Sequence, residues 1–346
     1  MRSGTCVDSG GRGRTLCAMN DKAPQANQKP VENCVTRRTF LGMSLASGAT
    51  LLVGGSDAIL GATSPSLATN SVWKLGGDLQ VNRLGFGAMR ITGEGVWVWP
   101  PDRDNAHKVL KRAVELGVNL IDTADAYGPE TSELLIAEAL HPYPAGLVIA
   151  TKGGLTRPGP GSWVPNGRPE YLKGCVDKSL KRLQLERIDV YQLHRIDPKV
   201  PMAESLGALK EMQQAGKIRH VGLSEVTPEE IEQARKILPI VSVQNRYNIA
   251  DRKWENTLKY CEKEGLGFMP WFPIGGGRGL KPGGAVEAAA KAQSASVVQI
   301  ALAWLLERSP VMLPIPGTAN VAHLEENVAA AKLKLTPEEW KQIDAG

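Results

Sequence analysis

Asn119-Leu-Ile-Asp-Thr-Ala-Asp-Ala-Tyr-Gly128 reads as a short apolar strand that ends on a carboxylate and enters a loop carrying a phenol. The pattern returns twice. Leu147-Val-Ile-Ala-Thr-Lys-Gly153 closes its apolar run on a lysine, and Asp189-Val-Tyr-Gln-Leu-His194 closes on an imidazole. In parallel α/β folds, groups that carry chemistry sit at the C-terminal ends of strands. Asp122, Lys152 and His194 occupy such ends, with Tyr127 just beyond Asp122. A carboxylate, a lysine, an imidazole and a phenol at one mouth can donate a proton to a carbonyl oxygen. That is half of a carbonyl reduction. The other half, a hydride, must come from a cofactor, because no side chain supplies one.

Working outward, short apolar runs recur near 83–89, 118–122, 147–151, 188–193, 219–223, 240–244, 266–270 and 311–315. Helical faces separate them. Ala106, Val109, Leu110, Ala113 and Val114 mark one; Leu172, Val176, Leu180 and Leu183 another; Leu206, Leu209 and Met212 a third, closed by Gly216. Thr227-Pro-Glu-Glu230 and Thr336-Pro-Glu-Glu339 are capped helix starts with Pro at the first helical position. Ahead of the first run, residues 72–75 and 79–82 read as a hairpin around Gly76-Gly77-Asp78. Eight strand–helix units predict an α/β fold, a (β/α)8 TIM barrel with an N-terminal β-hairpin. An open doubly wound sheet is the alternative. It is disfavoured because no Gly-x-Gly-x-x-Gly follows an early strand, and Gly275-Gly-Gly-Arg-Gly279 comes late with the wrong spacing.

The chain of 346 residues carries a net charge of +5, but the excess is uneven. Residues 1–68 hold seven Lys/Arg against four Asp/Glu, which leaves 34 against 32 in the rest. A near-neutral body offers no electrostatic footprint for nucleic acid, so no nucleic-acid partner is expected. Of five cysteines, only Cys175 and Cys261 fall in the body. They show no zinc-type spacing, are expected as unpaired buried thiols, and no metal site is expected.

Thr36-Arg-Arg-Thr-Phe-Leu41 precedes a weakly apolar run, Gly42 to Val53, and a small-x-small site, Ser66-Leu67-Ala68. In that order they resemble a twin-arginine export signal. The expected organisation is therefore residues 1–68 as signal and preceding segment, and 69–346 as the barrel. The expected location is periplasmic or exported, with the twin-arginine machinery as a partner and translation starting at Met1 or Met19. The run is too short and Gly/Ser-rich for a membrane span, so none is expected in the mature chain. An uncleaved signal would act as a tether.

From about residue 71 onward the chain resembles the aldo-keto reductase superfamily, on the ordered set Asp122, Tyr127, Lys152 and His194. The resemblance implies that Tyr127 protonates the substrate oxygen. Lys152 would lower the phenol's pKa of about 10, Asp122 would hold Lys152, and His194 would orient the carbonyl. It also implies NADP(H) as cofactor and a small-molecule carbonyl compound as substrate. Ser224, Gln244 and Asn245 would meet the nicotinamide amide, and Trp271 would stack on its ring. Gly317, Thr318, Asn320, His323, Glu326 and Asn327 would form the adenosine-phosphate segment. Relatives that grip the 2′-phosphate with Lys or Arg differ here, so Thr318, Asn320 and backbone N–H groups are expected to serve it. Little sequence follows the helix at 337–344, so pocket shape should come from other loops. Trp97, Trp99, Trp163 and Phe272 are the expected aromatic rim. Val81-Asn-Arg-Leu-Gly-Phe-Gly-Ala-Met89, residues 303–310 and Pro314-Ile-Pro-Gly-Thr318 look like the bacterial pyridoxal-reductase-like branch.

Two other classes compete. A non-catalytic cofactor-binding regulatory module shares this fold, but would not need an intact set of four. A metal-dependent barrel hydrolase would need His-x-His after strand one, where Gly85-Phe-Gly-Ala-Met89 supplies no ligand.

Overall fold

Two four-residue strands, β1 (Val72–Leu75) and β2 (Leu79–Asn82), pair antiparallel with Leu75 opposite Leu79. Gly76 and Gly77 turn the chain with φ of +64° and +86°, backbone that a tight hairpin needs and that glycine adopts without a Cβ clash. The computed structural model describes residues 72–277 and 283–345. The segment read as an export signal, residues 1–68, lies outside the described residues.

After the hairpin come β3 (Phe86–Gly87), β4 (Leu120–Asp122) and β5 (Val148–Gly153). A small antiparallel hairpin that the sequence pattern did not announce, β6 (Leu155–Thr156) with β7 (Val164–Pro165), follows β5. The main sheet resumes with β8 (Ile188–Leu193), β9 (Ile218–Ser224), β10 (Ile240–Gln244) and β11 (Gly267–Phe268). These seven strands run parallel in the order β3-β4-β5-β8-β9-β10-β11.

Residues 311–316 close the ring. Phe268 N–H donates to Val311 O (2.8 Å) and Leu313 N–H to Phe268 O (2.7 Å) on one side. On the other, Gly85 N–H donates to Pro314 O (2.9 Å) and Gly87 N–H to Pro316 O (3.2 Å). Pro314 and Pro316 have no N–H to return, so this eighth segment bridges both neighbours without a regular ladder. The expected barrel with its N-terminal hairpin is the observed fold.

Ten helices are described: α1 (Arg103–Glu115), α2 (Thr131–Leu140), α3 (Pro169–Leu183), α4 (Met202–Gln214), α5 (Pro228–Arg235), α6 (Glu255–Glu264), α7 (Ala285–Ala292), α8 (Val297–Arg308), α9 (Val321–Ala329) and α10 (Pro337–Ala345). The capping box expected at Thr227 is complete, with Glu230 N–H donating to Thr227 Oγ1 and Thr227 N–H to Glu230 Oε2 (2.8 Å). Thr336 and Glu339 repeat it ahead of α10. Among the described residues no single helix is long and apolar enough to cross a membrane.

Side chains alternate across each strand and so sort the core into two shells. Outward residues such as Ile121 and Ile149 pack on Val109, Leu110 and Ala113 of α1. Inward residues Leu120, Val148, Ala150, Val190, Leu313 and Ile315 meet Leu75, Leu79 and Val81 from the hairpin. The hairpin therefore stops one end of the barrel with apolar bulk. Cys175 and Cys261 are buried and free, as expected.

Candidate active site

Two residues further along each strand, the inward face turns polar. Leu120 gives way to Asp122, Ala150 to Lys152 and Val190 to Gln192, and β10 adds Gln244 after Ser242. All four polar side chains are buried. An uncompensated charge at such depth would cost several kcal/mol, so the layer must satisfy itself. Lys152 Nζ donates to both Asp122 oxygens (2.7 and 2.8 Å) and to Thr123 O (2.7 Å). Gln244 Nε2 donates to Asp122 Oδ1 (2.8 Å) and, more weakly, to Gln192 Oε1 (3.4 Å). Burial alone would pull the ammonium down. Asp122, helped by the Tyr127 phenol, outweighs it and holds Lys152 above the usual lysine range.

Tyr127 stands over this layer, with the ammonium 5.1 Å from the centre of its ring. Its loop is tied on several sides. Asp125 N–H donates to Lys152 O (3.1 Å), Gly128 N–H to Val96 O (3.2 Å) and Ser132 N–H to Tyr127 O (3.1 Å). The sequence reading had Lys152 bringing the phenol's pKa down. Instead burial, the larger effect, pushes Tyr127 up, and Lys152 only pulls against it. The phenol thus stays protonated at neutral pH, which is the state a proton donor needs.

His194 reaches the same mouth from the end of β8, its backbone N–H donating to Gly153 O (2.9 Å). Burial first, then the positive charges of Lys152, Arg195 and Arg157, draw its pKa well below the ordinary value. A neutral imidazole offers one donor and one acceptor, and its Nδ1 is buried with no partner. Tyr127, His194 and Trp163 meet edge to face, with ring centres 5.9, 6.2 and 6.4 Å apart. All four residues read from the sequence as the catalytic set therefore converge.

Asp122, Tyr127 and His194 line a cavity of about 560 Å³ together with Ser224, Gln244, Trp271, Gly317, Trp163 and Phe272, with Lys152 buried behind Asp122. Trp271 is held by its indole N–H, which donates to Glu225 Oε1 (2.6 Å). Gly317 can carry no side chain, since a Cβ there would lie 2.4 Å from Gly87 O. Bare backbone at two adjacent strand ends suits the close approach of a dinucleotide.

Other expected site residues sit elsewhere. Asn245 is fully buried, and its side chain accepts from Val226 N–H (3.1 Å) and donates to Val226 O (2.8 Å), so it braces the chain after β9. Trp97 and Trp99 are not in the cavity wall. Trp97 bridges to Gly128 and lies over Arg157, while Trp99 is outside, stacked on Arg103 at 4.1 Å. Their loop bends through backbone at positive φ at Val96 and Val98, which strand spacing could not reveal.

Thr318, Asn320 and His323 also lie outside this cavity, at the start of α9, as do Glu326 and Asn327 further along that helix. Asn320 Oδ1 caps the helix by accepting His323 N–H (3.1 Å), and Thr318 Oγ1 accepts Asn320 N–H (3.0 Å). The Thr318 hydroxyl, the Asn320 amide and the first N–H groups of α9 remain as donors to an anion.

Besides the apolar wall residues, three polar residues around the site, Gln192, Arg195 and Glu225, were not read from the sequence. Gln192 precedes His194 by two and so shares its face, a signal that was present. Arg195 donates to Ser224 Oγ (2.9 Å) and lines the cavity. Glu225 follows Ser224 at φ +56°, a turn geometry with no mark in the sequence.

Residues 83–346 match the model of the aldo/keto reductase family. An uncharacterized oxidoreductase of Schizosaccharomyces pombe is 53% identical over 268 residues, covering 78% of this chain and 87% of that protein. Pyridoxine 4-dehydrogenase of Escherichia coli is 45% identical over 274 residues, covering 78% of this chain and 96% of that protein. A solved aldo/keto reductase of Klebsiella pneumoniae in complex with NADP and acetate superimposes with a TM-score of 0.68 at 26% identity. It covers 80% of this chain and 94% of the other.

Proposed function

The chain belongs to the aldo/keto reductase family, and we propose that it reduces an aromatic aldehyde of the pyridoxal type, with Tyr127 as proton donor. It is an NADP(H)-dependent oxidoreductase that converts a carbonyl to an alcohol. The observation that carries the residue assignment is the buried Lys152–Asp122 pair beneath a protonated Tyr127, with Asp122, Tyr127 and a neutral His194 lining one cavity. When bound, the nicotinamide supplies the hydride. Trp271, Ser224 and Gln244 would hold it, and Gly317, Thr318, Asn320 and the start of α9 would take the phosphates. His194 orients the carbonyl oxygen through its single N–H. Tyr127 gives that oxygen its proton as negative charge develops on it. Lys152 steadies the phenolate left behind, and Asp122 keeps the ammonium in place.

Substrate class follows from the walls. Met89, Leu155, Trp163, Pro165, Phe272 and Ile274 present apolar and aromatic surface around the tetrad, which suits a flat ring better than a polyol. The Escherichia coli relative bears the name of a pyridine alcohol, which supports the same choice.

The test is a titration with NADPH and NADH by protein fluorescence, followed by turnover of pyridoxal, nitrobenzaldehydes, ketosugars and quinones. Aryl aldehydes should be reduced with kcat/KM at least about tenfold above ketosugars, and NADPH should bind more tightly than NADH by a modest margin. Equal affinities would reject the preference for NADPH. Sugars as the better substrates would reject the aromatic reading.

We also propose that residues 1–68 direct export by the twin-arginine route and leave a barrel of residues 69–346 in the periplasm. The support is the order Arg37-Arg38, apolar run, Ser66-Leu-Ala68. Changing Arg37 and Arg38 to Lys keeps the charge but removes a pattern read by a receptor. The variant should accumulate unprocessed and active in the cytoplasm. Normal processing of it would sink the assignment.

A further inference from the structure

Arg157 sits in the turn between β6 and β7 and touches neither the tetrad nor an acidic partner among the described residues. Two nitrogens of its planar guanidinium nonetheless donate to backbone, while Nη2 is buried without a partner among those residues. The guanidinium carbon lies 3.5 Å from the centre of Trp163 and 5.2 Å from that of Trp97. Nε donates to Ser162 O (2.8 Å), one residue before Trp163. Nη1 donates to Ala126 O (2.6 Å), one residue before Tyr127. Trp163 in turn lines the cavity and meets Tyr127 and His194 edge-on. One side chain thus binds the backbone beside the proton donor, the backbone beside the aromatic wall, and the face of the wall itself. Trp97 closes the stack from behind. Lysine, a point charge without a fork, could hold the face but not both carbonyls.

We propose that Arg157 is the positioning residue of the substrate wall, clamping the Tyr127 loop to the Trp163 loop so that an aryl aldehyde is gripped in reach of the proton donor. This rests on the reading of the cavity as an aryl-aldehyde site. Because Arg157 lies away from the cofactor-facing residues, its loss should move substrate terms and leave cofactor affinity alone. Losing a partly buried cation–π contact should weaken the wall by up to about tenfold in substrate affinity, and a freed Ala126 carbonyl loosens Tyr127.

The experiment compares wild type, R157M, R157K, W163F and R157M/W163F. R157M should raise KM for an aryl aldehyde by up to about tenfold and lower kcat, with Kd for NADPH within about twofold of wild type. R157K should recover KM more than kcat, since it keeps the cation over Trp163 but not the two carbonyl bonds. In the W163F background the R157M change should raise KM by clearly less than in wild type, because the weaker π face of Phe has already lost part of the contact it removes. An unchanged KM in R157M, or an equal rise with and without Trp163, overturns the proposal. Near-UV circular dichroism decides independently of turnover. If the wild type reduces no aldehyde, the functional reading fails, yet R157M must still lose the signal that distinguishes wild type from W163F. Its persistence in both Arg157 variants overturns the clamp.

Discussion

Replacing Tyr127 by Phe should lower kcat by about 10²–10⁴, the usual contribution of a positioned general acid, with Kd for NADPH nearly unchanged. The substitution removes one oxygen and keeps the ring. The edge-on contacts to His194 and Trp163, at 6.2 Å or less between ring centres, need only the ring. The loop is held by backbone bonds at Asp125, Gly128 and Ser132 that the mutation does not touch. Fold and cavity should therefore persist while the proposed proton donor is gone. His194, drawn down to the neutral state by burial and nearby cations, is a poor substitute as an acid at neutral pH. The measurement is single-turnover NADPH oxidation with an accepted aldehyde. A variant that keeps most of its rate would mean the proton comes from elsewhere, and the tetrad assignment would fall.

Lys152→Met should be the most damaging change to stability as well as to rate. Lys152 is completely buried and makes three hydrogen bonds, two of them to a carboxylate that is 2% exposed. Methionine fills similar volume, so packing is roughly kept. What is lost is, among the described residues, the only cation on Asp122, which is left there with the Gln244 amide. Removing one partner of a buried pair typically costs about 3–5 kcal/mol, a fall in Tm on the order of 10 °C for a domain of this size. The loss should depend on pH in a defined sense. Burial already pushes Asp122 up against the pull of Lys152. Without the lysine, its folded pKa rises further above the unfolded carboxylate value of about 3.9. A group shifted that way is best tolerated when protonated, so the variant should regain stability toward acid and be worst at neutral and alkaline pH. Activity should also fall, since nothing would steady the phenolate. Thermal melts of both proteins from pH 5 to pH 8 check this. A melting temperature equal to wild type at pH 8 would show that the pair carries no such weight.

How much of the site could be read without coordinates depended on whether a residue is placed by strand periodicity or by a loop. Asp122, Lys152 and His194 were legible because each ends an apolar run, and alternation sends every second side chain inward. Gln192 obeyed the same rule and was readable two positions before His194. Trp97 and Trp99 had no such rule to follow. Their loop runs from β3 to α1 through backbone at positive φ, at Val96 (+57°) and Val98 (+53°), and neither indole lines the cavity. Asn245 directly follows Gln244, so it faces the opposite side and braces backbone instead.

Fold class and chemistry were thus set by local pattern. Period two in strands, period 3.6 in helices and eight repeats of the pair leave a closed barrel as the favoured solution, and the polar tips of its strands fall at one mouth. Ionisation states and walls belong to the tertiary structure. The protonation of Tyr127 and the neutrality of His194 depend on how many atoms exclude water, a property of depth rather than of order along the chain. Arg157 acquires its place only when residues 97, 126 and 163 come together around it, from segments up to 66 positions apart that share no motif in the sequence.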